Sequence, residues 1–156
     1  MTDTSGIHLW LVLWKATRAV EARAHQSIEG TGLCASDFGI LETLLHKGPL
    51  PVNVIGRKVL LTTGSITTAV DRLVSRGLVA RRDDPADRRV RRVVLTARGR
   101  KLIEPALAVH AADLETVVSV LNRQERATLV ELLRKLGKGA EDGASGNLFD
   151  DLEASA

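Results

Sequence analysis

The sequence predicts a mainly α-helical chain of α+β type, with one small β-hairpin set among its helices. Three observations predict it. Apolar residues recur at helical spacing along most of the chain, with glycine and proline breaking the pattern at a few points. Two β-prone runs, Leu78–Arg82 and Val90–Leu95, flank the turn sequence Asp83-Asp84-Pro85-Ala86-Asp87-Arg88-Arg89. Basic charge gathers around that hairpin. Residues 56–101 hold 13 of the 22 Lys and Arg but only 4 of the 19 Asp and Glu, a net of +9 in a chain whose total is +3. The rest is therefore acidic, and the surplus lies where a unit entering a DNA groove would need it.

Each element has its own signal. Residues 1–6 are a polar start. Ile7 to Ile28 contains neither proline nor glycine and reads as one long helix. Its first half, Ile7 to Trp14, is apolar nearly all round; one face serves the chain's own core and the other needs a partner, most simply a second copy. Gly30-Thr31-Gly32 ends it, and Ser36 is the expected cap of a helix to Lys47 with Phe38, Leu41, Leu44 and Leu45 inward. After Gly48-Pro49, Pro51 suits a first helical turn, and Val52 to Leu60 gives a short helix.

The turn Leu61-Thr62-Thr63-Gly64 leads into a helix whose inner face is Ile66, Ala69, Val70, Leu73 and Val74. Its other face carries Ser65, Thr67, Thr68, Asp71, Arg72, Ser75 and Arg76, and Gly77 stops it. These two helices form a helix-turn-helix. In that arrangement Asn53, Arg57 and Lys58 on the first helix face phosphates. The second helix, from Thr63 through its hydroxyl-rich half to Arg72 and Arg76, enters the major groove. The hairpin after it, with six arginines between positions 81 and 92, is then a wing, and an arginine at its tip can enter a minor groove. Thr96 caps a helix over Ala97–Val120 that Pro105 should kink. Asn122 and Glu125 form a capping box for a last helix ending at Gly137, with Leu129, Leu132, Leu133 and Leu136 as its apolar stripe.

The expected organisation is therefore a winged helix-turn-helix domain over residues 31–96, dimerisation helices over 1–30 and 97–137, and a disordered acidic tail over 138–156. The longest apolar run, Leu9 to Trp14, is too short to span a bilayer, and the N-terminus has no secretory pattern. With one cysteine there is no internal disulfide, so a cytoplasmic setting is expected. His8, His25, His46 and His110 lack metal-ligand spacing. No clustered carboxylates or nucleophile–base pair suggest an enzyme, and no cofactor is expected.

Over Leu60 to Arg100 the chain resembles the MarR family of bacterial transcriptional regulators. The residues carrying the likeness are the helix GSITTAVDRLVSRGLV and the hairpin RRDDPADRRVRRVVLTARG. In the hairpin, Asp87-Arg88-Arg89 matches the family's wing signature, and Leu95, Thr96 and Gly99 match the Leu-Thr and glycine usual after it. The segment from Phe38 to Thr67 is most similar to a branch associated with phenolic or quinone-type compounds. The resemblance implies a homodimer reading a pseudo-palindromic site on double-stranded DNA. It also implies recognition-helix contacts at Ser65, Thr67, Thr68 and Arg72, a minor-groove arginine at Arg89, and a wing-steadying acid at Asp87.

Three further features have competing readings. Cys34 lies just before a helix N-terminus, where a thiolate is favoured, so a redox sensor is one alternative and a small packed residue the other. Trp10 and Trp14 can wall a pocket for an aromatic ligand, with Arg18 and His25 near its polar groups; core or dimer interface is the preferred reading. As to function, a regulator released from its operator by a small phenolic or aromatic ligand leads. A non-specific architectural DNA-binding protein is the alternative, disfavoured because a purely phosphate-reading surface would not need so many hydroxyls.

Overall fold

The computed structural model describes residues 3–87 and 89–141. Helix α1 (Gly6–Glu29) starts at Ser5, whose hydroxyl accepts from the His8 N–H at 3.3 Å. Helix α2 (Ala35–Lys47) starts two residues earlier than a Ser36 cap would allow. Cys34 is its N-cap and makes no side-chain capping bond, while its carbonyl accepts from Phe38 N–H at 3.0 Å. Ser36 lies inside the first turn with its hydroxyl 3.2 Å from Cys34 Sγ.

Strand β1 (Leu50–Pro51) precedes α3 (Val52–Lys58). Pro51 is thus extended, at φ −62° and ψ 148°, and caps the helix rather than opening its first turn. Helix α3 stops before Leu60 because the chain reverses there: Leu60 takes φ 56°, and Leu61 N–H returns to Gly56 carbonyl at 2.9 Å. Leu60, expected as the last residue of the helix, is instead exposed in a left-handed conformation that non-glycine residues seldom adopt. Helix α4 (Thr63–Ser75) comes next, capped by Thr62. Gly56 allows α3 and α4 to meet, since a Cβ there would lie 3.2 Å from Ile66 Cγ2.

Strands β2 (Val79–Asp83) and β3 (Arg91–Leu95) pair antiparallel from Val79↔Leu95 to Asp83↔Arg91. Strand β1 adds to the other side of β3 through Leu50↔Val93 and Pro51↔Arg92, giving the order β1-β3-β2. Two residues are too few for a period-2 signal, so this strand has no trace in the sequence pattern. Helix α5 (Ala97–Val118) continues through Pro105 as one helix, and α6 (Arg123–Ala140) runs past Gly137. The Asn122–Glu125 capping box is present in both directions. The expected tail therefore begins inside α6, and residues 142–156 lie outside the described residues.

The core joins all the elements between α1 and α5. Phe38, Ile40, Leu41 and Leu44 of α2 meet Ile55, Ile66, Val70 and Leu73 of the helix-turn-helix, with Val79, Val93 and Ile103 closing it. Thr96 seats α5 on the base of the hairpin: its N–H and hydroxyl both reach Leu78 carbonyl, at 3.1 and 3.0 Å, and the hydroxyl lies 2.8 Å from Gly77 carbonyl. Gly99 completes this joint, because a Cβ there would lie 2.0 Å from the Leu78 carbonyl oxygen. At the other end, Ser27 of α1 and His110 Nδ1 of α5 are 2.5 Å apart, and the His110 ring lies 4.9 Å from Phe38. Among the described residues no helix is long and apolar enough to cross a membrane.

Candidate nucleic-acid interface

The outer face of α4 is built by its own backbone bonds. Thr62 accepts from Ser65 N–H at 3.3 Å and donates its hydroxyl proton to Ser65 Oγ at 2.9 Å. Thr67 and Thr68 donate to the carbonyls of Thr63 and Gly64, at 2.9 and 3.1 Å. Their hydroxyl protons are thereby spent inside the helix, leaving a methyl group and an acceptor lone pair facing outward. Such a surface suits thymine methyls and the amino groups of adenine or cytosine. Thr63, Ser65, Thr67 and Thr68 are all exposed, as are Asn53 and Arg57 on α3.

Arg72 and Arg76 behave differently. Arg72 Nε lies 3.2 and 3.0 Å from the two carboxylate oxygens of Asp37, and its Nη2 lies 2.5 Å from Oδ1. Arg76 Nη1 is 3.6 Å from Asp37 Oδ2, and its Nη2 donates to Gly32 carbonyl at 3.3 Å. Asp37 is only 1% exposed and sits in the first turn of α2. The hydrogen bond from Arg72 to this carboxylate raises the guanidinium pKa above its ordinary value, so Arg72 is charged at every relevant pH. Asp37 leaves no signal in the sequence, being one acidic residue near a helix start. Nothing in the pattern announces that its partners, Arg72 and Arg76, belong to α4 and its C-cap, two helices further along.

The hairpin sorts its arginines in the same way. Arg81 pairs with Asp71 of α4 at 2.6 Å, Arg91 lies 3.7 Å from Asp83, and Arg92 pairs with Asp84 while donating to Pro49 carbonyl at 3.2 Å. Arg82 and Arg89 form no ion pair among the described residues, and Arg88 lies outside them. Asp87 accepts from Arg89 N–H at 2.9 Å, and its carbonyl accepts from Val90 N–H at 2.9 Å. A second acid does more of this work than the sequence suggests. Asp84 is 5% exposed, accepts from Ala86 N–H at 2.8 Å, and ties the turn to Arg92.

The Ala86 N–H bond, then the Arg92 bond, holds the Asp84 carboxyl below its ordinary value of 3.8. A carboxylate depressed in the folded state stabilises at pH above its unfolded value and loses that contribution as pH falls through the folded one. The turn is therefore expected to keep Ala86 amide protection from neutral pH down to about 3.8 and to lose it below. Hydrogen exchange on wild type and Asp84→Asn checks this. Identical protection in the two at neutral pH would show that Asp84 does not hold the turn.

The comparisons with known proteins agree with this geometry. The family model described as "MarR family" matches residues 33–90. The chain is 37% identical over 141 residues to the HTH-type transcriptional regulator MhqR of Bacillus subtilis (strain 168), covering 90% of this chain and 97% of that one. The chain belongs to the MarR family. Its relatives are transcriptional regulators, and its winged helix-turn-helix is the DNA-binding fold of that family. A probable transcriptional regulator from Pseudomonas aeruginosa superposes with a TM-score of 0.71 at 33% identity, covering 81% of this chain and 94% of that one. Bordetella bronchiseptica BpsR, whose DNA binding is regulated by 6-hydroxynicotinic acid, gives 0.73 at 29% identity, with 83% and 98% covered.

For this MarR-family chain, the residues suggested for a ligand pocket are not in the core. Trp10 and Trp14 are 61% and 50% exposed, His25 is exposed, and Arg18 lies 3.9 Å from Glu21 on the surface of α1. The tryptophans are therefore not part of the core of one copy, which removes the core half of the preferred reading for them. Cys34 is exposed and free, with Sγ 3.5 Å from Arg72 Nη2. Among the described residues no three His, Cys, Asp or Glu side chains are grouped to hold a metal ion.

Proposed function

We propose that this regulator is a homodimeric repressor that reads a pseudo-palindromic operator and leaves it when a small aromatic or phenolic ligand binds. The observation that carries the DNA reading is the surface of α4 and its hairpin. Ser65, Thr67 and Thr68 offer short, uncharged, base-reading groups, flanked by Arg82 and Arg89, whose charges no carboxylate among the described residues offsets. Short uncharged side chains let the helix come close enough for base edges to be read, which binding to phosphates alone does not require. Residues 31–96 are the reading unit, and Asn53, Arg57, Thr63, Arg72, Arg76 and Arg88 complete its contacts.

The dimer reading rests on apolar area. Ile7, Leu9, Trp10, Leu11, Val12 and Trp14 of α1 and the leucines of α6 are exposed in one copy, more than an isolated domain usually shows. Residues 1–30 and 97–137 are the dimerisation helices on this reading. Two lobes roughly 34–36 Å apart fit successive turns on one face of DNA. The ligand reading leans on BpsR, whose regulator is a hydroxylated aromatic acid. A thermal-shift screen with phenolic acids and quinones, then gel shifts with any compound that raises the melting temperature, tests it. Compounds that stabilise the protein yet leave every DNA complex intact would count against release by ligand.

One geometric fact favours a second reading, thiol control. Cys34 Sγ is within 3.5 Å of an arginine on the recognition helix, so an oxidised or alkylated sulfur would crowd that helix directly. On the leading reading Cys34→Ser retains ligand-induced release; on the second it abolishes release by oxidants or quinones.

A further inference from the structure

The recognition helix meets α2 through one buried carboxylate. Asp37 is 1% exposed, it engages Arg72 through both Nε and Nη2, and Arg76 approaches the same group from one turn further along. Arg72 remains 42% exposed, so it is neither buried nor free. Arginine reads guanine bidentately by presenting two parallel N–H groups from one edge of its fork. Here the edge made by Nε and Nη2 is turned inward onto Asp37, and Nη2 also lies 3.5 Å from Cys34 Sγ and Ser36 Oγ. Nη1 takes part in none of these contacts.

We propose that Asp37 is a positioning and specificity-determining residue for DNA reading, acting through Arg72. It holds the guanidinium so that only the Nη1 corner faces the DNA, and its charge offsets one of the two cations it gathers. Arg72 then contributes the donors of Nη1 and a muted charge in place of a free fork of Nε and Nη2. This rests on the DNA-reading role proposed for α4, and it assigns to α2, an element with no expected DNA contact, a part in choosing the sequence. The placement is economical for specificity: an unrestrained arginine on this face would grip any guanine or phosphate within reach.

Asp37→Asn keeps the side chain's shape and removes the charge. Its test is selection from a randomised duplex DNA library, with sequencing of the bound pool, together with the salt dependence of binding to one bound duplex. The variant is expected to gain a preference for guanine at one step of each half-site. Its salt slope should steepen by about one ion per copy, since a cation is no longer offset. Asp37→Glu, which retains the carboxylate, should restore the wild-type preference at least in part. A folded Asp37→Asn protein with wild-type base preference and slope would overturn the proposal. If Asp37→Asn does not fold, the paired variant Asp37→Asn with Arg72→Gln removes one charge of each sign and leaves the local net charge, with Arg76, as in the wild type. It should lose the wild-type preference at that same step with an unchanged slope, and an unchanged preference would overturn the proposal equally. A wild-type protein that selects no sequence at all would instead remove the DNA reading on which this rests.

Discussion

Leu132→Glu is expected to turn the dimer into a monomer and to lower operator affinity by about 10²–10⁴-fold, the range that linking two binding units provides. No residue of α6 is buried within one copy. Leu129, Val130, Leu132, Leu133 and Leu136 are all exposed, and Leu132 is 58% so. The capping box at Asn122 and Glu125 lets the helix start, but among the described residues its apolar stripe is left largely exposed. Covering it with the matching stripe of a second copy, beside the exposed apolar residues of α1, removes that area from water at roughly 25 cal/mol per Å². A glutamate at position 132 places one charge from each copy in that interface. Because Leu132 touches little of its own domain, the helical content of the monomer should be retained by circular dichroism. Light scattering reads the mass, and a Leu132→Glu dimer with wild-type DNA affinity would exclude α6 from the interface.

Arg89→Ala is the second large effect. Three of the hairpin arginines are held by carboxylates, and Arg81 and Arg92 in particular stabilise the wing itself. Replacing either would confuse binding with folding. Arg89 is different: its side chain is exposed and makes no ion pair among the described residues, while its backbone N–H is fixed by Asp87 Oδ1 at 2.9 Å. A cation held on a fixed backbone at the tip of a two-stranded arm suits a narrow minor groove. Its loss should weaken binding to all DNA and reduce the salt slope by about one ion per copy, about two per dimer, with no change in melting temperature. An unchanged slope would show that the wing tip does not reach the DNA.

The parts of this molecule that are legible in the sequence are those set by short-range interactions. The apolar stripe of α4, the glycine after it, the hairpin and the Asn122 capping box each depend on residues within about one or two turns, and each stands where the sequence places it. The differences are mostly at boundaries or across long range. Ser36 looks like a cap because it is a serine before an apolar run, yet the helix has already begun at Ala35. Leu60 fits the helical period, but the chain reverses at that residue to bring Gly56 against Ile66. Strand β1 exists only because β3 is there to pair with it. At the interface, arginines can be counted from the sequence, but which of them are neutralised cannot. Asp37, Asp71, Asp83 and Asp84 make that distinction, through contacts that no periodicity records.

Sequence-specific reading is tested most directly by competition binding. A duplex selected by the protein from a randomised library is compared with its scrambled counterpart, at a stated and fixed salt concentration. The expected result is a two-fold symmetric selected site, bound by a dimer about 10³-fold or more tightly than the scrambled duplex, as specific DNA readers typically are. Equal affinity for the two duplexes would contradict it, and would leave a basic surface that binds DNA without reading it.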